Sequence, residues 1–417
     1  MITKNIFPVF IIGLILFGAS SLIAAEKIDM TLEQVIELAL KENPELKALE
    51  AKIEAGQSRI KSSATLPDPW LGLEYENIPK GSLRFGQAEM KMYTFSQMIP
   101  WPGKLSLKSK ISQAGVGISE QEYTAKQRKL IAQIKRSYFE LYFNYKAIEV
   151  NDENSRLLGQ TVKVAERKYS LGQASLAEAL KAQIELSKIN NNLITLENKK
   201  QIIEAKLNLL LNRDPDTVLG RPQYTDSNKF NYQLDSLYEL AKNNRPELKT
   251  AGYQVKQSEL KLSLSKREYL PDFMITFKQR EMMDELKGWD GMFNITVPLW
   301  FWRNQKYMVK EMQAEKEMQQ ADYQAMENML FFEVKKMYLE TDTALRQANL
   351  YKNSIVPQAE QVLKVSQTAY ENGKMSFLDL LDSQRMYLDL KLDHYMRLVD
   401  YQMAKAELEE AIGADLP

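Results

Sequence analysis

The chain reads as a mainly α protein made of two repeats, each carrying short helices, a β-hairpin and a long helical hairpin. Three observations predict this. Gly (17) and Pro (14) are sparse in 417 residues, and the 26% of charged residues are spread along the whole length, which suits long helices better than many short elements. Apolar residues recur three and four apart over tens of residues, the spacing of a coiled-coil seam. The chain also repeats itself: Glu37-Leu-Ala-Leu-Lys-Glu-Asn-Pro44-Glu-Leu-Lys47 returns as Glu239-Leu-Ala-Lys-Asn-Asn-Arg-Pro246-Glu-Leu-Lys249, an offset of 202. Leu66-Pro67-Asp68 returns as Leu270-Pro271-Asp272, and Tyr169-x-x-Gly172-x-x-Ser175 as Tyr370-x-x-Gly373-x-x-Ser376.

At the amino end, Lys4, the apolar run Ile6 to Phe17 and the small-residue stretch Gly18 to Ala25 read as a secretory signal peptide over residues 1–25, cleaved after Ala25. No later stretch approaches 18 consecutive apolar residues, so a mature chain that crosses a membrane is expected to do so as a closed β-barrel. Zero Cys also argues against a cysteine-linked lipid at the processed terminus.

The first repeat is expected over 26–212. It opens with a helix from Leu32 to Asn43 and another that begins at Pro44. Trp70 to Glu76 and Met90 to Ile99 follow as strands around a loop at Pro79 to Gln87, a β-hairpin over about 70–99. No Pro interrupts Gly103 to Arg213, so the helical hairpin (104–212) is predicted as a helix of about 65 residues, a turn at Gly172 and a helix of about 38. Its seam runs through Ile131, Ile134, Tyr138, Leu141, Tyr145 and Ile148, with a phase slip at Asn151. The return helix carries its own seam through Leu186, Ile189, Leu193, Leu196, Ile203 and Leu207.

Residues 213–233, with Asp214-Pro215 and Gly220-Arg221-Pro222, form the join. The second repeat (234–417) restates the plan: a helix from Leu234 to Asn244, another from Pro246, and strands at Asp272 to Arg280 and Trp289 to Val297 around a turn at Asp284 to Gly288. The β-hairpin occupies about 272–299. The second helical hairpin (304–412) runs from Asn304 to Asn372, bent at Pro357, and returns from Ser376 to Ile412.

In the second β-hairpin Phe273, Ile275 and Phe277 alternate with Met274, Thr276 and Lys278, one apolar face against one polar. Two readings stand at this point. The hairpins are small soluble ribbons packed on helices, or they belong to a membrane barrel. Four strands cannot close a barrel, and an open edge in lipid leaves N–H and C=O groups unpaired, so the second reading requires several copies to pool their strands.

These elements resemble the TolC-like outer-membrane factors of efflux and secretion systems. The resemblance spans about residues 30–412. Its most specific piece is Tyr370-Glu-Asn-Gly-Lys-Met-Ser-Phe-Leu-Asp-Leu-Leu-Asp-Ser-Gln384, with Tyr169-Ser-Leu-Gly-Gln-Ala-Ser-Leu-Ala-Glu-Ala-Leu-Lys-Ala-Gln183 as its twin. It implies a homotrimer with a twelve-stranded barrel in the outer membrane, in contact with its lipid, and a long α-helical barrel reaching across the periplasm. It implies a passive efflux conduit that works with a periplasmic adaptor and a proton-driven inner-membrane pump. Tyr169, Gly172 and Ser175, and Tyr370, Gly373 and Ser376, would mark the tips that meet the adaptor. Asp379, Asp382 and, in the first repeat, Glu178 would line the periplasmic constriction; Lys181 at the fourth corresponding position departs from an all-acidic ring. Read without the resemblance, the same carboxylates are ordinary solvated helix-face residues.

Phe95-Ser-Gln-Met-Ile-Pro-Trp-Pro-Gly-Lys104 with Pro67-Asp-Pro69 is similar to the heavy-metal branch of that family. Nineteen Met, several of them in the hairpins (Met90, Met92, Met98, Met274, Met282, Met283, Met292), fit either gap filling or soft-metal contact. The alternatives are a periplasmic coiled-coil scaffold and a type I secretion conduit of the same fold. Nucleic acid is not an expected partner, because 55 Lys and Arg balance 55 Asp and Glu. Nor is catalysis expected: with zero Cys and one His there is no thiolate and no Cys/His metal cluster. Gly115-Val-Gly117 lacks the third glycine of a dinucleotide loop, and His394 lies within a heptad-bearing helix as a packing residue. No cofactor is implied.

Overall fold

The computed structural model describes residues 31–81, 84–224, 230–282 and 285–416. The expected signal peptide at 1–25, Met283 and the start of the turn at Asp284 lie outside them. Helix α1 (Leu32–Glu42) is capped by Thr31 and followed at once by α2 (Pro44–Ser63). The corner between them is set by Asn43, whose side chain accepts hydrogen bonds from the Glu45 and Leu46 N–H groups at 2.9 and 3.2 Å, while Pro44 contributes no orphan donor. The second repeat places α5 (Leu234–Asn244) and α6 (Pro246–Arg267) in the same order around Arg245-Pro246, where the proline again opens the helix but no side chain caps it.

Helix α3 (Lys104–Ser170) has 67 residues, roughly 100 Å at 1.5 Å per residue, and returns as α4 (Leu176–Leu210) of 35. In the second repeat α7 (Gln305–Leu350) gives way to a π-helical turn at Tyr351–Ile355, then α8 (Val356–Glu371), and α9 (Phe377–Ile412) returns. Pro357 explains the interruption. It lacks an N–H and its ring would strike the carbonyl four residues back, so the turn before it widens to the π form.

The seam residues of α4 (Leu186, Ile189, Leu193, Leu196, Ile203, Leu207) are all buried or half-buried. The phase slip at Asn151 becomes a polar layer: Asn151 is buried, donates to the Ala147 carbonyl at 2.8 Å and accepts from Asn192 at 3.0 Å. Where α3 and α9 meet, Gln384 donates to Asn154 at 3.0 Å. One core joins α1, α2, α3, α4 and α9 around Leu46, Ile134, Tyr138 and Leu207, and a second joins α5, α6, α7 and α9 around Leu237, Leu330 and Leu408. The join between repeats is tied to the first core, with Leu219 buried and the Tyr138 hydroxyl donating to the Gln223 carbonyl at 2.8 Å.

Strands β1 (Trp70–Glu76), β2 (Met90–Ile99), β3 (Asp272–Met282) and β4 (Glu285–Thr296) form one antiparallel sheet in the order β1-β2-β3-β4. The second hairpin is longer than the sequence predicts. Its last strand starts at Glu285 rather than Trp289, because a register shift at Arg280/Glu281 lets residues read as turn continue the ladder.

Candidate functional site: the helical tips and the sheet

The two tips are built alike. At the first, the Gly172 N–H donates to the Tyr169 carbonyl (2.9 Å) and the Gln173 N–H to Lys168 (2.8 Å); at the second, Gly373 donates to Tyr370 (3.1 Å) and Lys374 to Ala369 (2.8 Å). This paired pattern closes a helix with a left-handed residue, and both glycines have φ +69°. A Cβ at either would meet nothing within 4 Å, so the requirement for glycine is conformational. Ser175 and Ser376 then start the return helices by accepting from the Glu178 and Asp379 N–H groups at 3.3 and 3.2 Å.

The tips differ in their aromatic residue. Tyr169 is exposed, whereas Tyr370 is only 6% exposed. The Lys168 Nζ lies 3.9 Å from the Tyr370 ring centre and donates to its carbonyl at 3.2 Å, and Phe377 meets the ring edge-on at 6.0 Å. Burial, with the nearby Glu178 carboxylate, pushes the Tyr370 phenol up. Tyr370 thus packs the tip from within, in a cluster with Leu158, Val162, Leu363 and Leu380 that binds the two helical hairpins together.

The acidic residues follow along the first turns of the return helices. Asp379 accepts a hydrogen bond from the Ser376 hydroxyl at 2.7 Å, so it closes the cap as well as facing solvent. Asp382, one turn on, has a side chain 73% exposed and sits 3.5 Å from the Arg385 guanidinium. Arg385 also reaches across to Glu185 on α4, with its Nε 3.3 Å from the carboxylate. Burial pushes the Glu185 carboxyl up, but hydrogen bonds from Lys188 and Arg385 outweigh it and hold its pKa below the usual carboxylate value. The sequence reading missed this α4–α9 link, although an Arg three residues after Asp382 was visible. Two turns further along α9, burial and the Asp393 charge push the Asp389 carboxyl up against the pull of Arg385.

The sheet decides which face points where. Directly opposite residues share a face, so Leu71, Phe95 and Phe277 line up, as do Leu73, Tyr93 and Trp289, and Ile99, Phe273 and Ile295. This apolar face is the exposed one: Leu71 is 75% exposed, Phe277 49% and Phe293 62%. On the opposite face Thr94, Ser96 and Thr276 are buried, Ser96 and Thr276 are hydrogen-bonded at 2.9 Å, and Arg280 pairs with Asp290 at 3.0 Å. The sheet is inside out relative to a protein in water. Its polar face is covered and its apolar face points out, while among the described residues β1 and β4 each have one edge without a partner strand. At the helix end Trp300, Phe301 and Trp302 are exposed and in mutual ring contact, with centroids 5.2 and 5.6 Å apart. Lys104 anchors the junction beneath, 3.0 Å from both Glu268 and Asp272; burial pulls its ammonium pKa down, but these bonds outweigh it.

Among the described residues no group of three or more His, Asp or Glu is arranged to hold a metal ion, and no helix is long and apolar enough to cross a membrane. The family model "Outer membrane efflux protein" matches residues 35–213 and 237–414. The chain is 21% identical over 394 residues to the cobalt-zinc-cadmium resistance protein CzcC of Cupriavidus metallidurans, covering 92% of this chain and 90% of that one. It is 20% identical over 431 residues to the outer membrane protein TolC of Vibrio cholerae, covering 98% and 95%. The crystal structure of the outer membrane protein VceC from Vibrio cholerae superposes with a TM-score of 0.79 at 17% identity, over 93% of this chain and 97% of that one.

Proposed function

Because the chain belongs to the outer membrane efflux protein family, we propose that it works as the outer-membrane conduit of a three-part efflux assembly, passing cargo from the periplasmic side to the exterior without making or breaking bonds. The observation that carries this reading is the inside-out sheet at the end of a helical hairpin roughly 100 Å long. An apolar outer face suits hydrocarbon. The unpaired edges of β1 and β4 suit pairing with further copies, since each unpaired backbone group in lipid costs several kcal/mol. Three copies give an even-stranded barrel of twelve, and the helices of the same three copies continue it as a tube.

At the far end the tips around Tyr169, Gly172, Ser175, Gly373 and Ser376 meet a periplasmic adaptor, with Tyr370 supporting them from beneath. Energy for transport enters through a proton-driven inner-membrane pump. Asp379, Asp382 and Glu178, repeated around a threefold axis, disfavour anions at the entrance and favour cations. Arg385 and Lys181 weaken that field without reversing it. Metal cations are the cargo that the likeness to CzcC favours.

The test is the mass of the protein extracted from outer membranes in detergent, by size-exclusion chromatography with light scattering. A detergent-bound species of three chain masses is expected. A monomer in the soluble periplasmic fraction would overturn the conduit and leave a coiled-coil scaffold.

A further inference from the structure

Overall neutrality hides a local excess of charge. The segments that meet the foot of the sheet, residues 59–69, 100–111, 260–272 and 297–310, hold eleven Lys and Arg side chains, two in the first and three in each of the others. Only three carboxylates lie in the same segments, Asp68, Glu268 and Asp272, the last two bound to Lys104, while Lys261 is paired with Glu315 of α7 at 2.7 Å. In a chain of 55 cations and 55 anions this is a concentrated patch. Arg303, Lys306 and Lys310, at the start of α7, are exposed and none is in an ion pair with a carboxylate among the described residues. Lys306 and Lys310 lie four residues apart on one face of the first turns of α7, and Arg303 stands just before its cap at Asn304, immediately after the exposed Trp300-Phe301-Trp302 cluster. Lys108, Lys110 and Lys266 extend the patch at the neighbouring helix ends, also exposed.

We propose that this aromatic and cationic collar binds the headgroups of anionic glycerophospholipids in the periplasmic leaflet of the outer membrane. The proposal rests on the reading of the sheet as a membrane barrel. The indole and phenyl rings sit at the interface between hydrocarbon and headgroups, and the cations one to two turns further out reach the phosphate layer. Lys and Arg on long stems place their charge there while the stems cover apolar surface. Arg303, Lys306 and Lys310 have no ion-pair partner among the described residues, and the leaflet supplies one. The collar therefore sets the depth of the barrel and selects its lipid.

All five Trp lie in the sheet or within a few residues of its ends (Trp70, Trp101, Trp289, Trp300, Trp302), so their fluorescence reports this zone alone. The experiment reconstitutes the full-length protein in bilayers of brominated phosphatidylglycerol, brominated phosphatidylcholine or mixtures, and measures tryptophan quenching. A Lys or Arg near an anionic surface contributes about fivefold in binding. The wild type should therefore prefer phosphatidylglycerol by on the order of tenfold or more at low salt, and the preference should shrink as salt is added. The R303Q/K306Q/K310Q variant should fall to near parity with quenching by both lipids retained, while K335Q/K336Q, far from the sheet, keeps the preference. Equal quenching of the wild type by both lipids would overturn the proposal, as would a preference that survives the triple substitution or falls equally in the distant control. Absence of quenching by either lipid would instead remove the membrane barrel, and the collar with it.

Discussion

Phe277 is the position at which the inside-out sheet is most exposed to test. It is the sixth of the eleven residues of β3, midway along the strand, with Phe95 and Gly291 opposite it on the two neighbouring strands. Phe277→Arg puts a guanidinium where the barrel reading places the middle of the hydrocarbon. A cation on the lipid face at mid-depth costs roughly 2–4 kcal/mol, or on the order of 6–12 kcal/mol for three copies in one barrel. If the sheet were a soluble ribbon, the same change at a side chain 49% exposed to water would shift stability by about 0.5 kcal/mol or less. The two readings differ by an order of magnitude. Lys278→Leu is the companion, because Lys278 points to the polar face, 3.7 Å from Glu74, and its charge is not in lipid. The assay is the yield of trimer in purified outer membranes, followed by unheated gel electrophoresis and by light scattering. F277R should lose most of its trimer and K278L should keep it. An F277R protein that assembles like the wild type, or the opposite ranking of the two, would refute the assignment of faces.

Two further outcomes are expected. In planar bilayers, D379A/D382A should weaken cation selectivity and raise conductance several-fold; D382A alone tests the charge without disturbing the Ser376–Asp379 cap, and unchanged pores would remove both residues from the constriction. The Glu185–Arg385 link should fail in acid. Its carboxyl is held below the ordinary value near 4.5, so the stabilisation is fully present above that pH and is lost as pH falls through the depressed folded value. Limited proteolysis at the tips should therefore accelerate in the wild type as pH falls below the ordinary carboxylate range, while E185Q should show the fast pattern at neutral pH and little further change; identical pH profiles would exclude the link as a tip restraint.

Much of this architecture was legible in the sequence because it depends on local spacing. The 3.5-residue seam through Leu186, Ile189 and Leu193 can be buried only on one side of a helix, and Gly172 and Gly373 with their following Ser close and reopen helices through backbone geometry alone. Pro357 likewise announced a local irregularity in its helix, since a missing donor and a ring clash act within one turn. The inequivalence of Tyr169 and Tyr370 was not legible. The two share one motif, and only the packing of Lys168 and Phe377 around the second separates them.

The sheet marks the same boundary more sharply. From the sequence, Phe273, Ile275 and Phe277 form one face, but nothing in that alternation says whether the face is a core or an exterior, and Met90 to Ile99 scarcely alternates at all. Pairing β2 with β3 in register assigns each of its residues to a face, and the face that carries Thr94, Ser96 and Thr276 is the buried one. Likewise, a net charge of zero was plain from the composition, whereas the gathering of cations at the foot of the sheet depends on helix ends that lie up to some 250 residues apart in sequence. The sequence by itself determined periods, caps and breaks, because those are decided by atoms within a few residues of one another. The tertiary structure alone decided which face of the sheet is exposed and where charge accumulates, because burial and field are sums over neighbours that sequence distance does not order.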